Sequence, residues 1–176
     1  MASWEIRPAA EVPQRALIEL VRRYLEEVVS ADPACRLRLG TGSTAATVIQ
    51  QALGARGTYF AVACVAGEPV GFVIASRWRP YGVLARVEYA HISDLYLDPP
   101  HRTPDRMEAL LGAVADWGRA QGLSGLTASV PAHSPSLSLL RGAGFGEYRV
   151  TLLRSLEAPD GVPSGLPALT GRGDAG

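Results

Sequence analysis

Cysteine is scarce in this sequence, with Cys35 and Cys64 the only two in 176 residues and no CxxC pair between them. That excludes a disulfide-stapled scaffold or a cysteine zinc site, and it points to a reducing, cytoplasmic setting. Histidine is nearly as rare. The three histidines, at positions 91, 101 and 133, lack metal-ligand spacing, so no metal is expected. Charge of one sign is missing as well: seventeen basic residues balance seventeen acidic ones, and neither forms a long run. The footprint of a nucleic-acid binder is therefore absent. No apolar stretch reaches membrane-spanning length and no secretory signal is read, so no membrane partner is expected. There is no internal repeat. A serine hydrolase would need G-x-S-x-G, which does not occur, although His91, Asp94, His133 and Ser134 supply the residue types.

What is present is a globular composition, 47% hydrophobic with a mean hydropathy of +0.09, in a length that normally makes one domain. Ser3 to Arg7 reads as a short strand closed by Pro8. From Gln14 to Ser30, Leu17, Leu20, Val21, Tyr24, Leu25 and Val28 recur at helical spacing. A loop over 31–42 follows, and Ser43 is the expected cap of a second helix through Leu53. The period then changes. Tyr59–Ala66 and Pro69–Arg77 read as a hairpin around the turn AGEP, and Val87–Leu97 extends the antiparallel meander. After it come a helix over Asp105–Gln121 ended by Gly122, a strand over Gly125–Val130, a short helix over Pro135–Arg141 and a last strand over Gly146–Leu156. The expected domain runs over 1–157. Residues 158–176 are rich in breakers and poor in apolar anchors, and read as a disordered tail.

Gly40-Thr41-Gly42-Ser43-Thr44-Ala45 fits G-x-G-x-x-A before a helix. A dinucleotide-binding turn also needs a buried strand before it and an acid about twenty residues later. Here the preceding RLRL alternates charge with leucine, and the acidic position falls near Phe60. An ordinary loop explains the match better.

The informative stretch is AHISDLYLDPPHRTPDRMEALLGAVADWGRAQG, from Ala90 to Gly122. A strand turns through two prolines and a basic pair into a long helix, whose free N–H groups and positive end make an anion site. Farther on, HSPSLSLLRGAGF gives a short helix and then Gly144-Phe145. Leu97-Asp98-Pro99 with Arg102, Trp117 to Gly122, and Gly144-Phe145 resemble the GNAT superfamily of acyl-CoA-dependent N-acyltransferases. The element order from Trp4 to Leu156 agrees with that family. The resemblance implies an α/β (α+β) fold with a central mixed, mostly antiparallel sheet flanked by helices. It implies a cofactor cleft where the Leu95–Leu97 strand and the Gly125–Val130 strand part. The implied function is transfer of an acetyl group from acetyl-CoA, as co-substrate, to a primary amine of a small molecule or peptide. A homodimer is compatible with this reading. The acceptor pocket would come from the Arg23–Ala52 region and the Arg79–Arg86 loop.

By the same resemblance, Leu95, Tyr96, Leu97, Arg102, Thr103, Asp105, Arg106, Met107, His133 and Ser136 would bind the cofactor. Thr103, Asp105 and Met107 replace the family's glycines, Pro104 offers no N–H, and Asp105 puts a negative charge beside a dianionic group. The alternative reading of Thr103-Pro104-Asp105 is a plain helix start: a cap, a first-turn proline and an acid on the dipole. His133 falls on the family's Asn. Leu140 falls on the Tyr that serves as general acid, and leucine donates no proton. His91 falls on the general-base position. Strand alternation would put it on one face with Ser93, Leu95 and Leu97, and a neutral imidazole with pKa ~6.5 can take a proton. The bland alternative is a half-buried histidine bonded within the sheet. Glu88 and Asp94 are the reserve bases. These departures also allow a function of another class: a catalytically degenerate member of the fold that serves as a ligand-binding or protein-interaction module.

Overall fold

The computed structural model describes residues 3–31, 40–80, 87–130 and 134–148. The elements below lie in a compact unit that ends at Gly146. They are β1 (Trp4–Pro8), α1 (Gln14–Ala31), α2 (Thr41–Gly54), β2 (Thr58–Val65), β3 (Glu68–Trp78), β4 (Tyr89–Leu97), α3 (Pro104–Ala120), β5 (Leu126–Ala128) and α4 (Pro135–Gly142). Short 3-10 turns cover Ala9–Glu11 and Pro99–His101. The sheet runs β1-β2-β3-β4-β5. Its first three pairings are antiparallel and β4–β5 is parallel, so the expected mixed, mostly antiparallel α/β sheet is what forms.

Alternation along the strands divides the core in two. Phe60, Val62, Phe72, Ile74 and Tyr96 face Leu17, Leu20 and Val21 of α1 and Ile49 of α2. Ala63, Val73, Ile92, Leu95 and Leu97 face Met107, Leu110 and Val114 of α3. Leu17, Leu20, Leu110 and Val114 are at most 2% exposed, and each such side chain contributes about 1.5–3 kcal/mol through burial.

The hairpin between β2 and β3 turns on Ala66 and Gly67, both at positive φ (51° and 86°). Two such residues match the twist of the flanking strands. Helix α3 ends as expected at Gly122, φ 71°. The Gly122 N–H donates to Arg119 O and the Leu123 N–H to Gly118 O, which satisfies carbonyls at the helix end. Helix α4 closes the same way. Gly144 sits at φ 85° and the Phe145 N–H donates to Leu140 O at 3.1 Å. Leu140 and Phe145 both join the α3-face core. The pair Gly144-Phe145 therefore has a structural cause: a left-handed stop and an apolar anchor.

Three expectations need correction. Helix α2 is capped at Gly40, with Thr44 N–H donating to Gly40 O at 3.0 Å, and Ser43 lies inside the helix. Thr41 onward is helical, so no glycine turn stands there. Val87 and Glu88 precede β4 rather than belonging to it. Gly146 to Tyr148 form no strand. The rest of the expected last strand, the boundary at 157 and the tail lie outside the described residues.

Candidate active site

The β3–β4 register decides the site. Ile74 pairs with Asp94 and Ala75 with Ile92, so Ser93 is an extra residue in β4. Such a bulge resets alternation. Ala90 and Ile92 before it, and Leu95 and Leu97 after it, all face α3. His91 therefore does not share a face with Leu95 and Leu97, as simple alternation predicts. It stands opposite Ser76, on the α1 side of the sheet with Asp94 and Tyr96.

The bulge adjoins the place where two strands part. β4 and β5 pair only from Ala90–Leu126 to Ile92–Ala128, and the Ser129 N–H donates to Ile92 O at 3.3 Å. Beyond that point no strand among the described residues pairs with this side of β4. A small cleft, partly open to solvent, lies beside the gap. Its walls are Tyr24 and Glu27 of α1, Ser93 and Leu95 of β4, Ser129 after β5, and Ser134 to Ser136 at the start of α4. Ser134 caps α4 by accepting from the Ser136 N–H at 3.2 Å. The expected parting of the strands is thus present, with Leu95 and Ser136 on its walls.

Three side chains within about one turn of α1 fasten it to β4 and the segment that follows. Arg23 grips Asp98 through two bonds of 2.9 Å, and Asp98 raises the Arg23 pKa. The Tyr24 hydroxyl donates to Asp94 Oδ1 at 3.0 Å. Glu27 forms an ion pair with Arg102. Asp94 also accepts from Ser93 Oγ at 2.7 Å. The Tyr96 hydroxyl donates to Asp98 at 2.9 Å. Burial first, and Asp98 second, push the Tyr96 phenol up to about 12.

The remaining candidates separate. His91 is half-buried, with Nδ1 3.0 Å from Thr127 Oγ1 and its ring tilted on Trp78 at 5.4 Å. Burial lowers its pKa, and Asp94 partly opposes this. Glu88 forms ion pairs with Arg79 and, at 3.6 Å, with Arg77. It does not line the cleft. Arg102 donates to Leu97 O at 2.7 Å and lies 5.5 Å over the Tyr96 ring, so its guanidinium is engaged within the fold. Arg106 contacts His101 and lies 5.1 Å over Trp4. Met107 is buried against the α3 face and its N–H donates to Thr103 O, which removes it from any loop surface. Its position in the α3 stripe explains why. His133 lies outside the described residues.

The start of α3 has few donors to offer. Thr103 is the N-cap with no side-chain cap bond, and its N–H donates to His101 O at 2.9 Å. Pro104 has none, which leaves the first-turn N–H groups of Asp105 and Arg106 as those that helix geometry opens. The Asp105 carboxylate is exposed there.

The acetyltransferase (GNAT) family model matches residues 17–145, from α1 through the turn after α4. The chain belongs to that family. Among solved structures, the aminoglycoside N-acetyltransferase AAC(6')-Iy in complex with CoA superposes with a TM-score of 0.64 at 18% identity, over 89% of this chain and 97% of that one. The aminoglycoside acetyltransferase meta-AAC0020, from an uncultured soil metagenomic sample and in complex with sisomicin, gives 0.60 at 17%, over 89% and 97%. An acetyltransferase of Trypanosoma brucei gives 0.55 at 19%, over 88% and 100%. No curated protein matches the sequence. For this GNAT domain the structural likenesses speak for the fold. Among its described residues, no helix is long and apolar enough to cross a membrane.

The residues that sequence reading missed are Arg23, Tyr24, Glu27, Ser93 and Ser129. Tyr24 shows as one more apolar position of α1, and only the fold brings it to Asp94, 70 residues away.

Proposed function

We propose that the protein transfers the acetyl group of acetyl-CoA to a primary amine of a small molecule or peptide. The observation that carries this reading is the parting of β4 and β5 after Ile92–Ala128, beside the Ser93 bulge, over a cleft walled by α1 and the start of α4. The edge of β4 at Leu95, which no strand among the described residues pairs with on this side, can hold an extended arm and polarise a thioester carbonyl. Ser134 and Ser136 offer small polar groups across the gap. The open N–H groups of Asp105 and Arg106 face the anionic end.

We assign the general base to Asp94, with His91 in a structural role. Asp94 is one hydrogen bond from two cleft walls, Tyr24 and Ser93. The His91 ring is instead bonded to Thr127 and packed on Trp78. In this role its carboxylate takes the proton of the nitrogen once that nitrogen has bonded to the carbonyl carbon.

One set of observations favours a second reading, a binding module that does not acylate: Pro104, the engaged Thr103 N–H, exposed Asp105 and the Arg102–Glu27 pair. Calorimetry with CoA and acetyl-CoA, followed by mass spectrometry of sisomicin, putrescine and a lysine-containing peptide incubated with acetyl-CoA, decides between them. Acetylated product supports the first reading. Binding without product supports the second. Neither binding nor product sinks both as ligand sites for CoA.

A further inference from the structure

Leu140, which by the resemblance takes the position of the family's general acid, is 2% exposed in the α3-face core. An aliphatic side chain cannot return a proton to a leaving sulfur. On the wall formed by α1, however, Tyr24 brings a phenol to the same cleft. Its ring is held edge-on to Phe72 at 5.3 Å and tilted on Tyr96 at 5.9 Å. Its hydroxyl donates to Asp94 Oδ1 at 3.0 Å, and Ser93 Oγ donates to the other carboxylate oxygen at 2.7 Å. A phenol, a carboxylate and a bulged strand edge thus meet where the strands part.

Resting on the acetyl-transfer reading above, we propose that Tyr24 is a second catalytic residue, passing a proton from Asp94 to the leaving sulfur. The amine nitrogen bonds to the acetyl carbon and loses its surplus proton to an Asp94 oxygen. The C–S bond breaks with its electron pair on sulfur. Tyr24 gives its phenolic proton to that sulfur and receives the proton held by Asp94. One proton has moved from nitrogen to sulfur, and both side chains end as they began.

The hydrogen bond provides the route for this exchange. The Tyr24 hydroxyl already lies 3.0 Å from Asp94 Oδ1, so a proton taken up by the carboxylate can replace the one the phenol gives away.

Tyr24→Phe tests this, since it keeps the ring contacts with Phe72 and Tyr96 and removes only the hydroxyl. Wild type and variant are compared by thermal melting, by calorimetry with acetyl-CoA, and by single-turnover transfer to whichever of sisomicin, putrescine and the lysine peptide wild type acetylates fastest. We expect similar melting and an acetyl-CoA dissociation constant within about twofold, with transfer slowed ~10²-fold. Rates in H2O–D2O mixtures add a readout that a structural role does not move. Wild type should give a bowed dependence on deuterium content, from more than one proton in flight, and the variant a straight one. An unchanged rate, or a slower rate with the bow intact, overturns the relay. If wild type transfers acetyl to none of the three amines, the reading beneath it fails instead.

Discussion

Gly71→Ala should be among the most damaging single-methyl insertions in the protein. Gly71 lies on β3 and pairs with Leu97 on β4. A Cβ built there falls 2.4 Å from Leu97 Cδ2 and 2.6 Å from the Tyr96 carbonyl oxygen. Leu97 could rotate, but it is only 2% exposed and has little room to move into. The Tyr96 oxygen is backbone, so relief requires β4 itself to shift. Overpacking of this kind costs about 1–3 kcal/mol. At about 2–4 °C per kcal/mol for a chain of this size, the melting temperature should fall by about 2–12 °C. Gly112 in α3 supplies the control, because nothing lies within 4 Å of a Cβ there. Gly112→Ala should stabilise by up to ~1 kcal/mol through helix propensity. Urea unfolding followed by circular dichroism gives both differences by linear extrapolation. If Gly71→Ala matches wild type, or if both substitutions shift stability the same way, the close approach of β3 to β4 is not as described.

Four further outcomes are expected. Asp105→Asn should tighten CoA binding by about tenfold at low salt, less than the ~3 kcal/mol of an unscreened pair at ~5 Å, because the carboxylate is exposed; equal calorimetric affinities would mean that Asp105 faces away from the ligand. His91→Gln should change how stability depends on pH. The folded pKa is lowered by burial, so wild type should lose stability as pH falls below the unfolded value of ~6.5, while the variant stays flatter between pH 7.5 and 5.5; parallel curves would contradict the burial effect. Arg23→Ala should cost about 1–2 kcal/mol in urea unfolding, by stripping Asp98 of its two-bond partner at a site where Arg23 itself is partly exposed; no change would make the clasp ornamental. A chain ending after Glu157 should keep its melting temperature, since residues 158–176 carry too few apolar anchors to offset their ordering entropy; a loss of several degrees would refute that.

The local grammar of the chain was largely readable. Ala66-Gly67, Gly122 and Gly144 mark stops that need positive φ, and each serves as one. The α3 stripe of Met107, Leu110, Leu111 and Val114 packs as its spacing predicts. What could not be read was register. A bulge at Ser93 leaves no glycine or proline as a sign, yet one extra residue moves His91 to the opposite face from Leu95. Helix α1 was equally opaque on its polar side. Arg22 pairs with Glu19 and Glu26 of its own helix, whereas its neighbour Arg23 reaches Asp98, just after β4. Adjacent residues of one type thus have unlike partners, and only long-range geometry separates them.

The same geometry shows how a start of α3 without glycines sits beside the cleft. Glycines after a β-strand let a backbone wrap a phosphate. Here Thr103-Pro104-Asp105 starts α3 as a stiff cap, and Arg102 is drawn onto Leu97 O and Glu27. That arrangement strengthens the joint between α1 and the end of β4 at the expense of anion contacts. The cleft at the bulge is built from separate parts: Tyr24 on α1, Ser93 on β4, and Ser134 to Ser136 on α4. Glu27, another wall of the cleft, is tied to the loop through Arg102. On the proposed reading the thioester end and the nucleotide end of the site therefore share that ion pair and are otherwise built from different elements. On that proposed reading, substitutions at 103–107 bear first on how tightly acetyl-CoA is held, and substitutions at Tyr24 or Asp94 on how fast a bound acetyl group is transferred.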